Sequence, residues 1–232
     1  SELQYYAQGL SNQGVSLESS STVEFFAAET RLTSAIDYVT NATVPSVYVL
    51  EGHGGRGLPA TWVEVMGLKS LNLGGEAQVP ADMTCLVIYD PVTDLTEGET
   101  AKIKAFAEAG GGVLLSTRPG CESFENRMSL CAVYGLTAET GTVNDPSYNM
   151  GDAAALIPTP NTANPICEAG ISAKGTDASG QQQVPMVFMT NTHAIVLPEE
   201  GKGPENVGYS RLFVTSDQAV TVTSDERKST LG

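Results

Sequence analysis

The chain contains two histidines, and the first stands in an unusual setting. Gly52-His53-Gly54-Gly55 follows the apolar run Val47-Tyr48-Val49-Leu50 after the single residue Glu51. Glycine accepts positive φ and brings no Cβ, so such a turn can present backbone N–H groups to a carboxylate or phosphate. In an open parallel sheet, ligands sit beyond the carboxyl ends of the strands. His53, Asp90 at the end of "CLVIYD" and Ser116, Thr117 and Arg118 at the end of "GVLLSTRPG" are therefore expected on one edge. Gly52, His53, Gly54, Gly55, Asp90, Ser116, Thr117 and Arg118 form the candidate ligand- or partner-binding set, with Arg118 as the cation beside the turn. The competing reading is a tight strand-to-helix turn whose histidine only satisfies neighbouring backbone groups.

Other chemistries fit the letters less well. "GHGGRG" matches G-x-G-x-x-G, but "LPATW" follows in place of a clean helix opening. No acidic strand end stands about 20 residues on, as a dinucleotide fingerprint requires. There is no G-K-[ST], hence no P-loop. A hydrolase or amidotransferase of this architecture needs a Ser or Cys on a strand-to-helix elbow, with a His. "VLLSTRPGCES" occupies the elbow position and offers Ser116, Thr117 and Cys121, without G-x-S-x-G or G-x-C-x-G. Cys121 would lie near a helix N-terminus, a setting that activates thiols. His193, in "TNTHAIVLP", reads as the start of a strand. No catalytic residue is assigned. A divergent hydrolase using Cys121 or Ser116 with His53 is the alternative.

The carboxylates Asp90, Asp94, Glu97 and Glu99 in "YDPVTDLTEGE" offer oxygens to a hard cation such as calcium. Asp94, Glu97 and Glu99 also surround a helix N-terminus, where negative charge is favourable without any metal. There is no D-x-D-x-D-G loop, and "NDPSYNMGD" reads the same way. Cys85, Cys121, Cys131 and Cys167 show no C-x-x-C spacing, which argues against structural zinc. No metal site and no cofactor are expected. Cys85 reads as a buried thiol, as does Cys131 on one helical face with Phe124 and Met128. A Cys121–Cys131 disulfide stays open, and with it the redox compartment.

These residues must be positioned by a chain of 232 residues, enough for one large domain or two small ones. Twelve Lys and Arg against 27 Asp and Glu leave a net charge of −15, a field that repels nucleic acid and anionic membrane surfaces. Charged residues are 17% of the chain, which with abundant Gly, Ser and Thr suggests an ordered, loop-rich domain. No run of about 18 apolar residues is present to span a membrane. The chain opens "SELQYY", without a leader, as a cleaved or trimmed protein would.

Residues 1–20 read as an N-terminal arm or strand. "STVEFFAAETRLTSAIDYVTNA" is a helix, with Ser21 and Glu24 at capping-box spacing and Phe25, Ala28, Leu32, Ile36 and Val39 on one face. "SVYVLEG", "LKSLNL", "MTCLVIYDP" and "GVLLSTRPG" are strands, and "LPATWVEVMG" is a short helix. "LTEGETAKIKAFAEAGGG" is a helix opened by Thr96 and Glu99 and ended by Gly110 to Gly112. "ESFENRMSLCAVYGL" is the next helix. This alternation implies a parallel α/β sheet with right-handed crossovers. Residues 136–185 turn polar and irregular, with "GTDASGQQQ" as the expected mobile loop. "VPMVFMT", "HAIVLP" and "YSRLFVTSD" are expected as strands that complete the sheet or add an antiparallel edge. One α/β domain is thus expected over 21–222, with a tail at 223–232.

The order of motifs resembles a known family. "LTSAIDYVTNATVPSVYVLEGHG", "LKSLNL" and "VPADMTCLVIYDPVTDLTEGETAKIKAFAEAGGGVLLSTRPG" look like the ABC-transporter auxiliary domain of GldG-type proteins, associated with gliding motility and ABC-2 type transport. "GTVNDPSYNMG", "LIPTPNTANPI" and "RLFVTSDQAV" follow in the same order, so the resemblance covers roughly residues 20–222. It implies a Rossmann-like, flavodoxin-like sheet flanked by helices, with a loop-rich C-terminal part that adds strands. It implies a non-enzymatic accessory domain on the extracytoplasmic face of the membrane, held by transmembrane helices outside this sequence. A permease and an ATPase would be its partners, and substrate a further contact. The family's turn often reads G-H-G-E. Here Gly55 replaces the acidic residue, and the segment from Gly57 to Gly67 is short. A sensor binding an anion or other small molecule at Gly52–Gly55 is the remaining alternative.

Overall fold

Four parallel strands organise the first half of the protein. The computed structural model describes residues 45–55, 57–58, 62–63, 66–75, 77–168, 179–181 and 187–223, and the backbone of 228–230. The expected N-terminal arm, the helix over 21–42 and most of the "GTDASGQQQ" loop and C-terminal tail lie outside the described residues. Strands β1 (Val47–Leu50), β2 (Lys69–Leu71), β3 (Cys85–Ile88) and β4 (Gly112–Leu115) stand in the order β2-β1-β3-β4. Every neighbouring pair is parallel, with Tyr48 beside both Lys69 and Leu86, and Leu86 beside Val113. The protein is therefore α/β, built on a parallel sheet as its alternating sequence implies.

Side chains alternate across a strand, so this register sends Tyr48, Leu50, Leu71, Leu86, Ile88, Val113 and Leu115 to one face. They pack with Ile103 and Phe106 of α1 (Glu97–Glu108) and Leu130 of α2 (Glu125–Ala132), around the fully buried Leu73 and Leu86. The start of α1 is the capping box its sequence announces. The Thr96 hydroxyl accepts from the Glu99 amide, and the Glu99 carboxylate accepts from the Thr96 amide. The helix ends at Gly110, whose φ of 96° suits only glycine.

The second half departs from expectation. Among the described residues, its strands do not extend the parallel sheet. They form small antiparallel ladders: β5 (Thr137–Ala138) with β10 (Ile195–Val196), β7 (Ala155–Leu156) with β9 (Met189–Thr190), and β8 (Thr159–Pro160) with β11 (Phe213–Val214). A three-stranded sheet joins β6 (Thr142–Asn144), β12 (Val220–Val222) and β13 (Lys228–Thr230). Strands two or three residues long, interrupted by Pro, Asn and Gly, offer too little ladder to lengthen a sheet.

A buried carboxylate holds this region together. Asp145 is fully buried and accepts from the amides of Ser147, Tyr148 and Ser216 and from the Ser216 hydroxyl at 2.7–3.0 Å. A second core of Val143, Leu156 and Ala219 sits beside it. No helix among the described residues is long and apolar enough to cross a membrane.

Candidate functional site

The chain leaves β1 for β2 on one side and returns to β3 on the other, so the strand order reverses between β1 and β3. A crevice outside the carboxyl ends of the strands forms at such a point. The Gly52–Gly55 turn follows β1, Asp90 follows β3, and Ser116, Thr117 and Arg118 follow β4, so the expected set does share this edge. The turn lies directly on the segment after β3. Gly55 bridges Pro91, and the amides of Val92 and Thr93 both donate to the His53 carbonyl. A Cβ on Gly55 would stand 2.6 Å from the Asp90 carbonyl oxygen, and one on Gly54 would stand 2.6 Å from a Val92 methyl. The glycines thus admit the chain's own backbone.

His53 itself is turned into the protein. Its side chain is 11% exposed, and both ring nitrogens are engaged. Nδ1 lies 3.1 Å from the Asp94 carbonyl, and Nε2 lies 3.1 Å from Glu99 Oε1. Both partners are acceptors, so each hydrogen bond needs an N–H on the ring nitrogen that faces it. The other Glu99 oxygen takes the amide and hydroxyl of Thr96. Burial works against ionisation of Glu99, but these hydrogen bonds and the one from His53 outweigh it and hold the carboxyl below its ordinary value.

Asp94 extends the same arrangement. Its carboxylate accepts from the amide of Leu95 and from the amides of Asn126 and Arg127, which supplies the missing cap of α2. One latch therefore joins the β1 turn, the start of α1 and the start of α2. The acidic residues serve helix N-termini and His53. Among the described residues, no three metal-ligating side chains converge.

The remaining set divides. Arg118 Nε lies 3.0 Å from Asp90 Oδ1, an ion pair whose N–H is not aligned for a hydrogen bond. Asp90 takes a φ of 42°, a left-handed backbone rarely used by residues other than Gly, Asn and Asp. The amide of Ser116 extends the ladder by donating to Ile88. Thr117 Oγ1 is hydrogen-bonded to His193 Nε2, a partnership the sequence did not suggest. The signal available was that His193 is the other imidazole of the chain. It sits before β10 with its side chain 3% exposed, and Nδ1 faces Glu122 Oε1 at 4.0 Å. Burial pushes the ring's pKa down, Glu122 opposes this and Arg127 adds to it, leaving a net lowering.

Cys121 is buried with its thiol toward the Pro91 carbonyl, and both His53 nitrogens are engaged by Asp94 and Glu99. Cys121 and Cys131 are both free thiols. Burial pushes the Cys131 thiol up, against the pull of Arg127.

Outside the latch, a cleft of about 380 Å³ runs from the end of β1 along the edge strand β2, lined by the turn and by Glu51, Leu58, Leu68, Ser70 and Tyr89. That volume falls within the range of small-ligand sites. Asp82 marks the opposite, amino edge, where it accepts from Tyr48, Ser46 and Lys69. Those three donors hold its carboxyl far below the ordinary value, Lys69 foremost.

No family model matches the chain, and no curated protein matches it. Among solved structures, the mmIFT52 N-terminal domain is similar, with a TM-score of 0.51 at 12% identity over 75% of this chain and 74% of that one. The likeness is one of fold alone.

Proposed function

We propose that the chain is an extracytoplasmic accessory domain of an ABC-type transport system, with a flavodoxin-like sheet that serves as a binding body. Its partners in this reading are the permease and ATPase subunits, and the contact surface is the carboxyl edge around the cleft. The observation that carries the proposal is the His53 latch. It removes the imidazole from chemistry and fixes the turn as a rigid rim beside the cleft. The strand order β2-β1-β3-β4 supports the flavodoxin-like topology, and the motif order of the sequence supports the transport association.

A photo-crosslinking residue at Leu58, which lines the cleft beyond the β1 turn, is expected to join the domain to the permease subunit in isolated membranes. The same residue at Asp82, on the opposite edge, is expected to give no product. Absence of any crosslink from Leu58, or equal crosslinking from Asp82, overturns the proposal.

The cleft's size favours a second reading, a small-molecule or anion sensor. A ligand at 100 times its Kd stabilises the folded state by about 2.7 kcal/mol, so a thermal-shift panel of phosphate, sugars, amino acids and nucleotides tests it. No shift with any compound rejects the sensor reading for those classes.

A further inference from the structure

We propose that Thr117, His193 and Glu122 form a hydroxyl–imidazole–carboxylate line on which Thr117 is acylated and deacylated by small activated esters. This goes beyond the accessory reading and does not depend on it.

Thr117 occupies the loop between β4 and α2, the elbow position of a parallel sheet, and is half-buried. Its hydroxyl meets His193 Nε2. Burial and Arg127 together keep the ring neutral against the pull of Glu122. A neutral ring carries one N–H. When the Thr117 hydroxyl donates to Nε2, that proton resides on Nδ1, the tautomer of a general base. Nδ1 is buried and has no hydrogen-bond partner among the described residues, while Glu122 Oε1 lies 4.0 Å away on that side.

Most buried side-chain nitrogens have a hydrogen-bond partner. Here the nitrogen waits within a small movement of a carboxylate, and gains its bond when the ring becomes positive. Glu122 is anchored by the Gly141 amide at 3.2 Å. The charged groups facing the ring are Glu122, from the loop before α2, and Arg127, from α2. Glu139, in the segment beside β10, is bound instead to the Thr221 hydroxyl.

The reaction is ordinary acyl transfer. Thr117 Oγ attacks the acyl carbon as its proton passes to Nε2, and the Nδ1–H of the resulting imidazolium turns to Glu122. The leaving alkoxide takes the proton from Nε2 and departs as the alcohol. Water then gives a proton to Nε2 while its oxygen attacks the threonyl ester. Thr117 Oγ leaves and recovers that proton. The sum is ester plus water to acid plus alcohol. The methyl of Thr117 and its half-buried position restrict the acyl group to a short one.

The full chain is incubated with p-nitrophenyl acetate, quenched in acid and mapped by mass spectrometry. Acetylation at position 117 is expected, retained when the hydroxyl is kept in Thr117→Ser and in Ser123→Ala, and reduced by about 100-fold or more in His193→Gln. Acetylation should rise with pH and level off once His193 is neutral. Glu122→Gln should move that midpoint to lower pH, because Glu122 favours the imidazolium; a residue that only supports the loop would not move it. No acetyl-Thr117 in the folded wild type overturns the proposal, as does undiminished labelling of His193→Gln. If circular dichroism shows His193→Gln unfolded, the wild-type profile decides, and labelling independent of pH overturns it.

Discussion

Replacing His53 by alanine removes two part-buried hydrogen bonds, one to the Asp94 carbonyl and one to the Glu99 carboxylate, each 3.1 Å long. A neutral hydrogen bond contributes about 1 kcal/mol net, and one to a charged group about 1.5–3 kcal/mol, so the expected loss is about 2.5–4 kcal/mol. With a urea slope near 3 kcal/mol per molar, the unfolding midpoint falls by roughly 1 M. Urea titration followed by circular dichroism measures this directly. A double-mutant cycle with Glu99→Gln isolates the pair and should give a coupling of about 1–3 kcal/mol.

The pH dependence has a definite sign. The folded-state pKa of Glu99 lies below its ordinary 4.5, so its contribution is present above that value and is lost as pH falls through the lowered one. A His53→Ala effect below about 0.5 kcal/mol, typical of an unconstrained surface site, would refute the latch.

Asp145→Ala removes the acceptor shared by four part-buried hydrogen bonds and should lower stability by about 2–3 kcal/mol in the same titration. Burial opposes ionisation of Asp145, but the donations from Ser216, Ser147 and Tyr148 outweigh it and depress its pKa, so its contribution should be lost only as pH drops below the ordinary 3.8. Gly55→Ala should cost about 1–3 kcal/mol in thermal unfolding, since φ is 139° and Asp90 O stands 2.6 Å from the new Cβ; Gly57→Ala, with open space, should be near neutral. Arg127 is fully buried, and its Nε and Nη1 have no hydrogen-bond partner. Arg127→Met should therefore leave the urea midpoint unchanged or raised, whereas Arg127→Ala should lower it through the cavity.

The parallel half of the fold is legible in the residues themselves. Strands buried on both faces read as apolar runs, as in Cys85–Ile88, and a Thr96–Glu99 pair before a periodic segment marks a helix start. The carboxyl-edge location of His53, Asp90 and Arg118 follows from the same alternation. The direction of the His53 ring does not. It depends on Glu99 serving two partners at once, and capping-box spacing reveals only one of them. The Thr117–His193 contact joins segments far apart in the chain through ladders two residues long. No local periodicity encodes such a meeting. The later strands were misplaced for the same reason, since two-residue pairings such as Thr159–Pro160 with Phe213–Val214 carry no alternation to read.

His53 is locked and not available as a reactive or ligand-binding group. Diethylpyrocarbonate footprinting with mass spectrometry checks this, because the reagent acylates a free imidazole nitrogen. His53 in the folded chain is expected to be protected at neutral pH and to become reactive in urea. Modification of folded His53 at the rate of the unfolded chain would contradict it.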